Sequence, residues 1–96
     1  MTNKACREWL TKFAEKQLKK LPKHILAAYH TWARTVELDG IRQTRLLADY
    51  HDEPLQGERK GQRSVRLGCG YRVIYEETES HNIVLVGVQE VNKHEY

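Results

Sequence analysis

This chain is short of cysteine, proline and long hydrophobic runs, and each shortage removes a class of protein. Cys6 and Cys69 are its two thiols, with no C-x-x-C pair. Their spacing gives neither a zinc site nor a disulfide framework, so a reduced, cytoplasmic setting is the simpler expectation. No apolar stretch approaches the roughly 20 residues of a membrane span, and the N-terminus lacks the apolar region of a signal peptide. There is no G-x-G-x-x-G or phosphate-loop pattern and no Ser-His-Asp arrangement. Internal repeats and low-complexity tracts are missing too. What remains is a chain of 96 residues, 40% hydrophobic, with a formal charge of +3. That size fits one domain over residues 1–96, and the apolar content argues against disorder as its overall state. The net charge is mild and informs on partners only through where the positive residues cluster.

The first half reads as helical. Ala5 to Phe13 is ambiguous: Trp9, Leu10 and Phe13 suit a helix face, while Arg7–Thr11 suits a short edge strand, the reading preferred here. From Phe13 to Leu21 the apolar residues Ala14, Leu18 and Leu21 recur at helical spacing, with Lys16, Lys19 and Lys20 pointing away. Pro22 ends that helix and suits the first turn of the next. The second helix runs from about Lys23 to Leu38, with Ile25, Tyr29, Trp32 and Val36 on an inward face. Asp39-Gly40 supplies the stop, the glycine taking a left-handed cap. Ile41 to Leu47 adds one or two helical turns. Ala48 to Gly57, holding Asp49, Asp52, Pro54 and Gly57, is a loop.

From Gln62 onward the period changes to two. Strand Gln62–Leu67 pairs antiparallel with Tyr71–Glu77 across the tight connection Gly68-Cys69-Gly70. Thr78 to Asn82 turns the chain again. Ile83 to Val91 is the most apolar strand, expected to be central and buried on both faces. The fold class is therefore α+β, a helical hairpin packed on an antiparallel β-meander, with an N-terminal strand as a further element.

The hairpin carries the charge. Arg59, Lys60, Arg63, Arg66 and Arg72 fall within it, opposed after the Pro54 turn by Glu58 alone. Ser64 and Arg66 face away from the Val65/Leu67 side, so Arg66 and Arg72 are expected to project together from the open side of the sheet. An exposed, soluble arginine face is the plain alternative. As a set the five suit a polyanion, because a guanidinium makes paired, charge-assisted bonds to phosphate. Arg72, flanked by Tyr71, Val73 and Ile74, is the sharpest candidate, since a half-buried charge without a partner is costly. Near the chain's end, His94 has the titration range of a general acid or base, or is simply an exposed tail residue. Tyr96 suits base stacking or a hydrophobic plug. Glu53 reads as a general base for a ribose 2′-hydroxyl or as a surface ion-pair partner. His24, His30, His51 and His81 are scattered without ligand spacing and read as structural or surface residues.

Together these stretches resemble a family. Glu53-Pro54-Leu55, the strand Lys60-Gly61-Gln62-Arg63-Ser64-Val65-Arg66-Leu67, Tyr71-Arg72-Val73-Ile74-Tyr75 and the terminal Lys93-His94-Glu95-Tyr96 look like the RelE/ParE toxin superfamily. The nearest likeness is to the RelE, YoeB and HigB-type mRNA interferases of type II toxin–antitoxin modules. The helix Ala14 to Pro22 is also typical. The resemblance implies a RelE-like microbial RNase fold and cleavage of mRNA in the ribosomal A site, with no metal or other cofactor. It implies attack by the 2′-hydroxyl, leaving a 2′,3′-cyclic phosphate and a 5′-hydroxyl. Carried over by position, Arg72 stabilises the phosphorane, His94 is the general acid, Glu53 the base, and Tyr96 orients the nucleobase. Arg66 stands for a basic residue of the RelE strand, and Arg59, Lys60 and Arg63 join it in holding RNA. Two positions depart from the pattern: Tyr96 follows His94 by two residues where YoeB-like members have them adjacent, and Ser64 stands where RelE-like members carry lysine. The implied partners are a cognate antitoxin, mRNA and the ribosome, with no membrane and no DNA bound by the toxin alone. Two rival readings stay open: a ParE-like gyrase inhibitor on the same fold that cuts no RNA, and a non-catalytic RNA-binding module.

Overall fold

The computed structural model describes residues 5–80 and 83–93. The ambiguous N-terminal stretch is a strand, β1 (Ala5–Leu10). Trp9 and Phe13, which a helix would have turned to the core, are both exposed, whereas strand alternation sends Cys6 inward. Helix α1 (Lys12–Leu18) begins one residue after Thr11, whose side chain accepts the Ala14 N–H as an N-cap. Helix α2 (Lys23–Asp39) buries Ile25, Tyr29, Trp32, Ala33 and Val36, the face its periodicity predicts. Pro22 sits just before this helix, with extended backbone, instead of in its first turn. Gly40 ends it, but at φ 87 and ψ 154 it is not in the left-handed helical region. This is an extended positive-φ conformation close to glycine-only space, which redirects the chain into the short helix α3 (Ile41–Arg45).

The loop that follows contains a strand that the sequence reading treats as turn. Glu53–Pro54 forms β2, pairing antiparallel with the next strand in the register Glu53↔Ser64 and Pro54↔Arg63. Then come β3 (Gln62–Gly68), β4 (Tyr71–Ser80) and β5 (Ile83–Lys93). The expected turn at Thr78 is displaced: Thr78 and Ser80 remain in β4, opposite Leu85 and Ile83. The strands form one five-stranded sheet in the order β1-β5-β4-β3-β2. All neighbours are antiparallel except β1 and β5, which run parallel.

The helices cover one side of this sheet. Trp32, Tyr29 and Val36 pack with Val65, Val73, Tyr75, Val84, Val86, Val88 and Val91 in a single core cluster. Strand β5 is interior to the sheet, but only its helix-side face is buried throughout; on the other, Gly87 is buried against the Trp9 ring while Leu85, Glu90 and Asn92 are half-exposed. The expectation of burial on both faces fails because no second layer covers that side among the described residues. Alternation is visible in β4 as well. Ile74 is buried but stands outside the core cluster, since it faces the uncovered side.

A bulge sets the register where it matters. Ile74 pairs with Glu90 but Tyr75 pairs with Val88, leaving Gln89 extra. Helix α1 and its cap close over this irregularity. The Gln17 Oε1 accepts the Val91 N–H at 2.7 Å, and Thr11 Oγ1 donates to the Gln89 carbonyl at 3.2 Å. These bonds satisfy backbone groups that the bulge takes out of the ladder. Beyond it, Arg72 lies opposite Asn92 and Tyr71 opposite Lys93.

Candidate nucleic-acid interface

The β3–β4 hairpin closes through Cys69 and Gly70, both at positive φ (51 and 83), the conformation of the two-residue primed turns that match strand twist. Gly68, at φ 116, takes up a register shift between Arg66 and the turn. The consequence is direct: Arg66 and Arg72 are cross-strand partners. Two like charges placed opposite each other cost about 0.2–1 kcal/mol relative to a neutral pair. The fold therefore carries a repulsion on its uncovered face that packing does not require. The Arg66 side chain is exposed and has no ion pair or hydrogen bond with another described residue.

Arg72 is held more tightly. Its side chain is 20% exposed, with Nη1 3.4 Å from Ser64 Oγ and 3.9 Å from Glu53 Oε1. Register explains the grouping. Glu53, Ser64 and Ile74 lie side by side across β2, β3 and β4, one step from the Arg66–Arg72 pair. Glu53, at 53% exposed, keeps its carboxylate open to solvent while in ion-pair range of the guanidinium. Ser64 is buried, and its hydroxyl is a short acceptor for Arg72.

The other predicted residues separate. Arg59, just before β3, extends across the same face: Nη2 meets Glu90 Oε2 at 2.5 Å and Nη1 donates to Gln62 Oε1 at 3.2 Å. Lys60 is exposed and has no ion pair with a described residue. Arg63 is directed to the helix side. It is the partner of buried Tyr75 in the ladder, and its Nε donates to Asp52 Oδ1 at 2.5 Å. His94 and Tyr96 lie outside the described residues. Of the residues proposed from the sequence, the structure thus brings together Glu53, Arg66 and Arg72, adds Arg59 and Lys60 at the margin, and sets Arg63 apart.

Asp52, a turn former by residue type, has a buried side chain that serves as a node. Its carboxylate accepts from Arg63 Nε on one oxygen and from the Tyr75 hydroxyl, at 2.5 Å, on the other. Arg45 Nε stands 3.9 Å away, within ion-pair range but too far for a hydrogen bond, while Arg45 Nη2 donates to Glu77 Oε1 at 2.6 Å. Burial, reinforced by the bond to Asp52, pushes the Tyr75 phenol well above its ordinary range. It therefore stays protonated and serves as a donor. The same alternation that turns Arg66 outward assigns Arg63 to the Val65 side, which was the available sequence signal for this node.

Comparison with known proteins agrees with this architecture. No curated protein sequence matches the chain. Among solved structures, a YoeB/ParE toxin from Agrobacterium tumefaciens superposes with TM-score 0.72 at 16% identity, covering 93% of this chain and 99% of that one. The RelBE2 toxin–antitoxin complex from Mycobacterium tuberculosis gives TM-score 0.66 at 28% identity over 92% of this chain and 96% of the other. The DinJ-YafQ toxin–antitoxin complex of E. coli gives TM-score 0.71 at 20% identity, with 97% and 94% covered. At the sequence level, residues 9–91 match the family model described as the ParE toxin of the type II toxin-antitoxin system, parDE. Because that match takes in everything from Trp9 on β1 to Val91 near the end of β5, this chain belongs to the ParE toxin family, within the RelE/ParE superfamily of type II toxin–antitoxin toxins.

Proposed function

We propose that this toxin is a ribosome-dependent mRNA endoribonuclease that arrests translation in the cytoplasm. The observation that carries the reading is the Arg66–Arg72 pair on the uncovered face, with Glu53 3.9 Å from Arg72. A carboxylate beside a half-buried guanidinium suits in-line transesterification of RNA. Glu53 takes the proton of a ribose 2′-hydroxyl as its oxygen bonds to phosphorus. The bond from phosphorus to the 5′-oxygen breaks, and that oxygen takes a proton from His94. The products are a 2′,3′-cyclic phosphate and a 5′-hydroxyl. Arg72 meets the charge that develops on the phosphorane, the kind of preorganised stabilisation that dominates such reactions. Arg66, Arg59 and Lys60 hold the RNA backbone, Arg63 supports them indirectly, and Tyr96 orients a nucleobase. The chemistry is assigned to side chains alone, without a metal.

A cognate antitoxin follows from the same reading, as in the toxin–antitoxin complexes of the structural relatives. An acidic, disordered or helical segment that masks the cationic hairpin or the helical pair is the expected form. A second reading has its own support, since the matching family model is that of ParE: a gyrase inhibitor that cuts no RNA. Induced expression with transcript mapping separates the two. Translation-dependent cuts within mRNA support the nuclease. Intact transcripts with DNA damage would transfer the assignment to gyrase inhibition, and intact transcripts with ribosome binding would leave a non-catalytic module.

A further inference from the structure

Strand β2 has only two residues, yet one of them is the proposed base. Glu53 pairs with Ser64 and Pro54 with Arg63, and the Leu55 N–H donates to the Gln62 carbonyl at 2.9 Å. A two-residue edge strand containing a proline, which has no N–H to donate, cannot hold its register by its own ladder. His51, two residues before it, is a non-glycine residue at φ 47, so the approach to the strand is also locally unfavourable. Something else must keep Glu53 beside Arg72.

We infer that Asp52 is the positioning residue of this site, acting through Glu53. Consecutive residues of an extended chain point to opposite faces. Asp52 goes down to the helix side, where its side chain is 1% exposed, and Glu53 goes up to the uncovered face. Below, Asp52 is clasped by Arg63 from β3 and Tyr75 from β4, with Arg45 of α3 nearby. Both of its oxygens are engaged, and the two donors come from adjacent strands of the sheet. The clasp therefore fixes the backbone at residue 52 against the strands that carry Ser64, Arg66 and Arg72. A buried carboxylate bound this way is costly to displace, which converts an intrinsically weak edge into a rigid mount for the base.

This assignment rests on the nuclease reading, so its test needs one measurement that does not depend on cleavage. Asp52→Asn keeps the size and one acceptor but removes the charge. Tyr75→Phe removes a single donor at constant shape and serves where Asp52→Asn folds poorly. In the full-length toxin, the Leu55 amide is expected to exchange with solvent roughly tenfold faster in either variant, because opening of β2 is then less opposed. Cleavage should fall on the order of 10²-fold in kcat for Asp52→Asn, the scale of a misplacement near 1 Å, with KM little changed. Added to Glu53→Gln, Asp52→Asn should cost almost nothing more, since both act through one carboxylate. Unchanged exchange at Leu55 in both variants overturns the anchoring. Faster exchange with unaltered kcat, or full additivity with Glu53→Gln, overturns the link to the base. A wild-type protein that cuts no RNA removes the nuclease reading and the catalytic role of Asp52, while the exchange data still decide whether Asp52 anchors β2.

Discussion

Two arginines of strand β3, Arg63 and Arg66, meet opposite surroundings on the two sides of the sheet. On the helix side, Arg63 is matched to Asp52 and Arg45 to Glu77, and the Tyr75 hydroxyl completes the set. On the uncovered side, three residues along the same strand, Arg66 faces Arg72 and finds no acidic partner among the described residues. The first arrangement follows from burial: a charge away from water is paired or excluded. The second runs against local energetics and so points to an external anion. Residue type alone does not distinguish a paired cation from an unpaired one, and the face of the sheet does so only together with the local partners, since Arg59 on the uncovered side is paired with Glu90.

Arg63→Ala gives the strongest test of that contrast. It leaves the buried Asp52 carboxylate with Tyr75 and a distant Arg45, and it should cost about 3 kcal/mol of stability, the lower range for breaking a buried pair, read from denaturant midpoints. Should its stability match that of the wild type, Arg63 belongs with the binding residues after all. Arg72→Ala is expected to behave inversely, losing on the order of 10²-fold in cleavage rate, as for one removed oxyanion donor, with a small change in Tm. A large fall in Tm together with full cleavage by the remaining folded protein would reverse the two roles.

Alkaline titration probes the helix side again. Burial first, then hydrogen bonding to a carboxylate, raises the phenols of both Tyr75 (with Asp52) and Tyr29 (with Glu8). Unfolded tyrosines ionise near pH 10, the folded ones only above that. The stability that depends on neutral phenols is thus complete below about pH 10 and is lost as pH climbs toward the folded values. Tyr75→Phe should flatten this decline in urea melts; an unchanged slope would mean that Tyr75 ionises as readily folded as unfolded. The smallest effect is expected for Arg66→Ala. Relief of the like-charge pair should raise stability by a few tenths of a kcal/mol, while the salt dependence of RNA binding loses about one phosphate contact. A destabilised variant, or an unaltered salt slope, would assign Arg66 to structure.

Much of this frame was legible in advance. The stripe Ile25, Tyr29, Trp32, Val36 specified α2, and the alternation through Val65 and Leu67 specified β3 and the outward direction of Arg66. Both patterns are local, with periods set by the backbone. Three features were not legible. A two-residue strand at Glu53–Pro54 has no periodicity to read, so its residues looked like turn. The extension of β4 through Thr78 and Ser80 depends on β5 continuing beside it, and polar residues remain in a strand when a partner holds the ladder. The one-sided burial of β5 depends on the number of layers, which composition does not reveal.

Order along the chain thus determined most of the helices and strands, and that Arg66 leaves the apolar side of the hairpin, because those follow from contacts within a few residues. Tertiary structure alone decided that Glu53 comes within 3.9 Å of Arg72, that Asp52 joins Arg63 to Tyr75, and that β1 runs parallel beside β5. Those contacts join residues far apart in the chain. They exist only once the sheet has closed and burial has made an unpaired charge too expensive to leave.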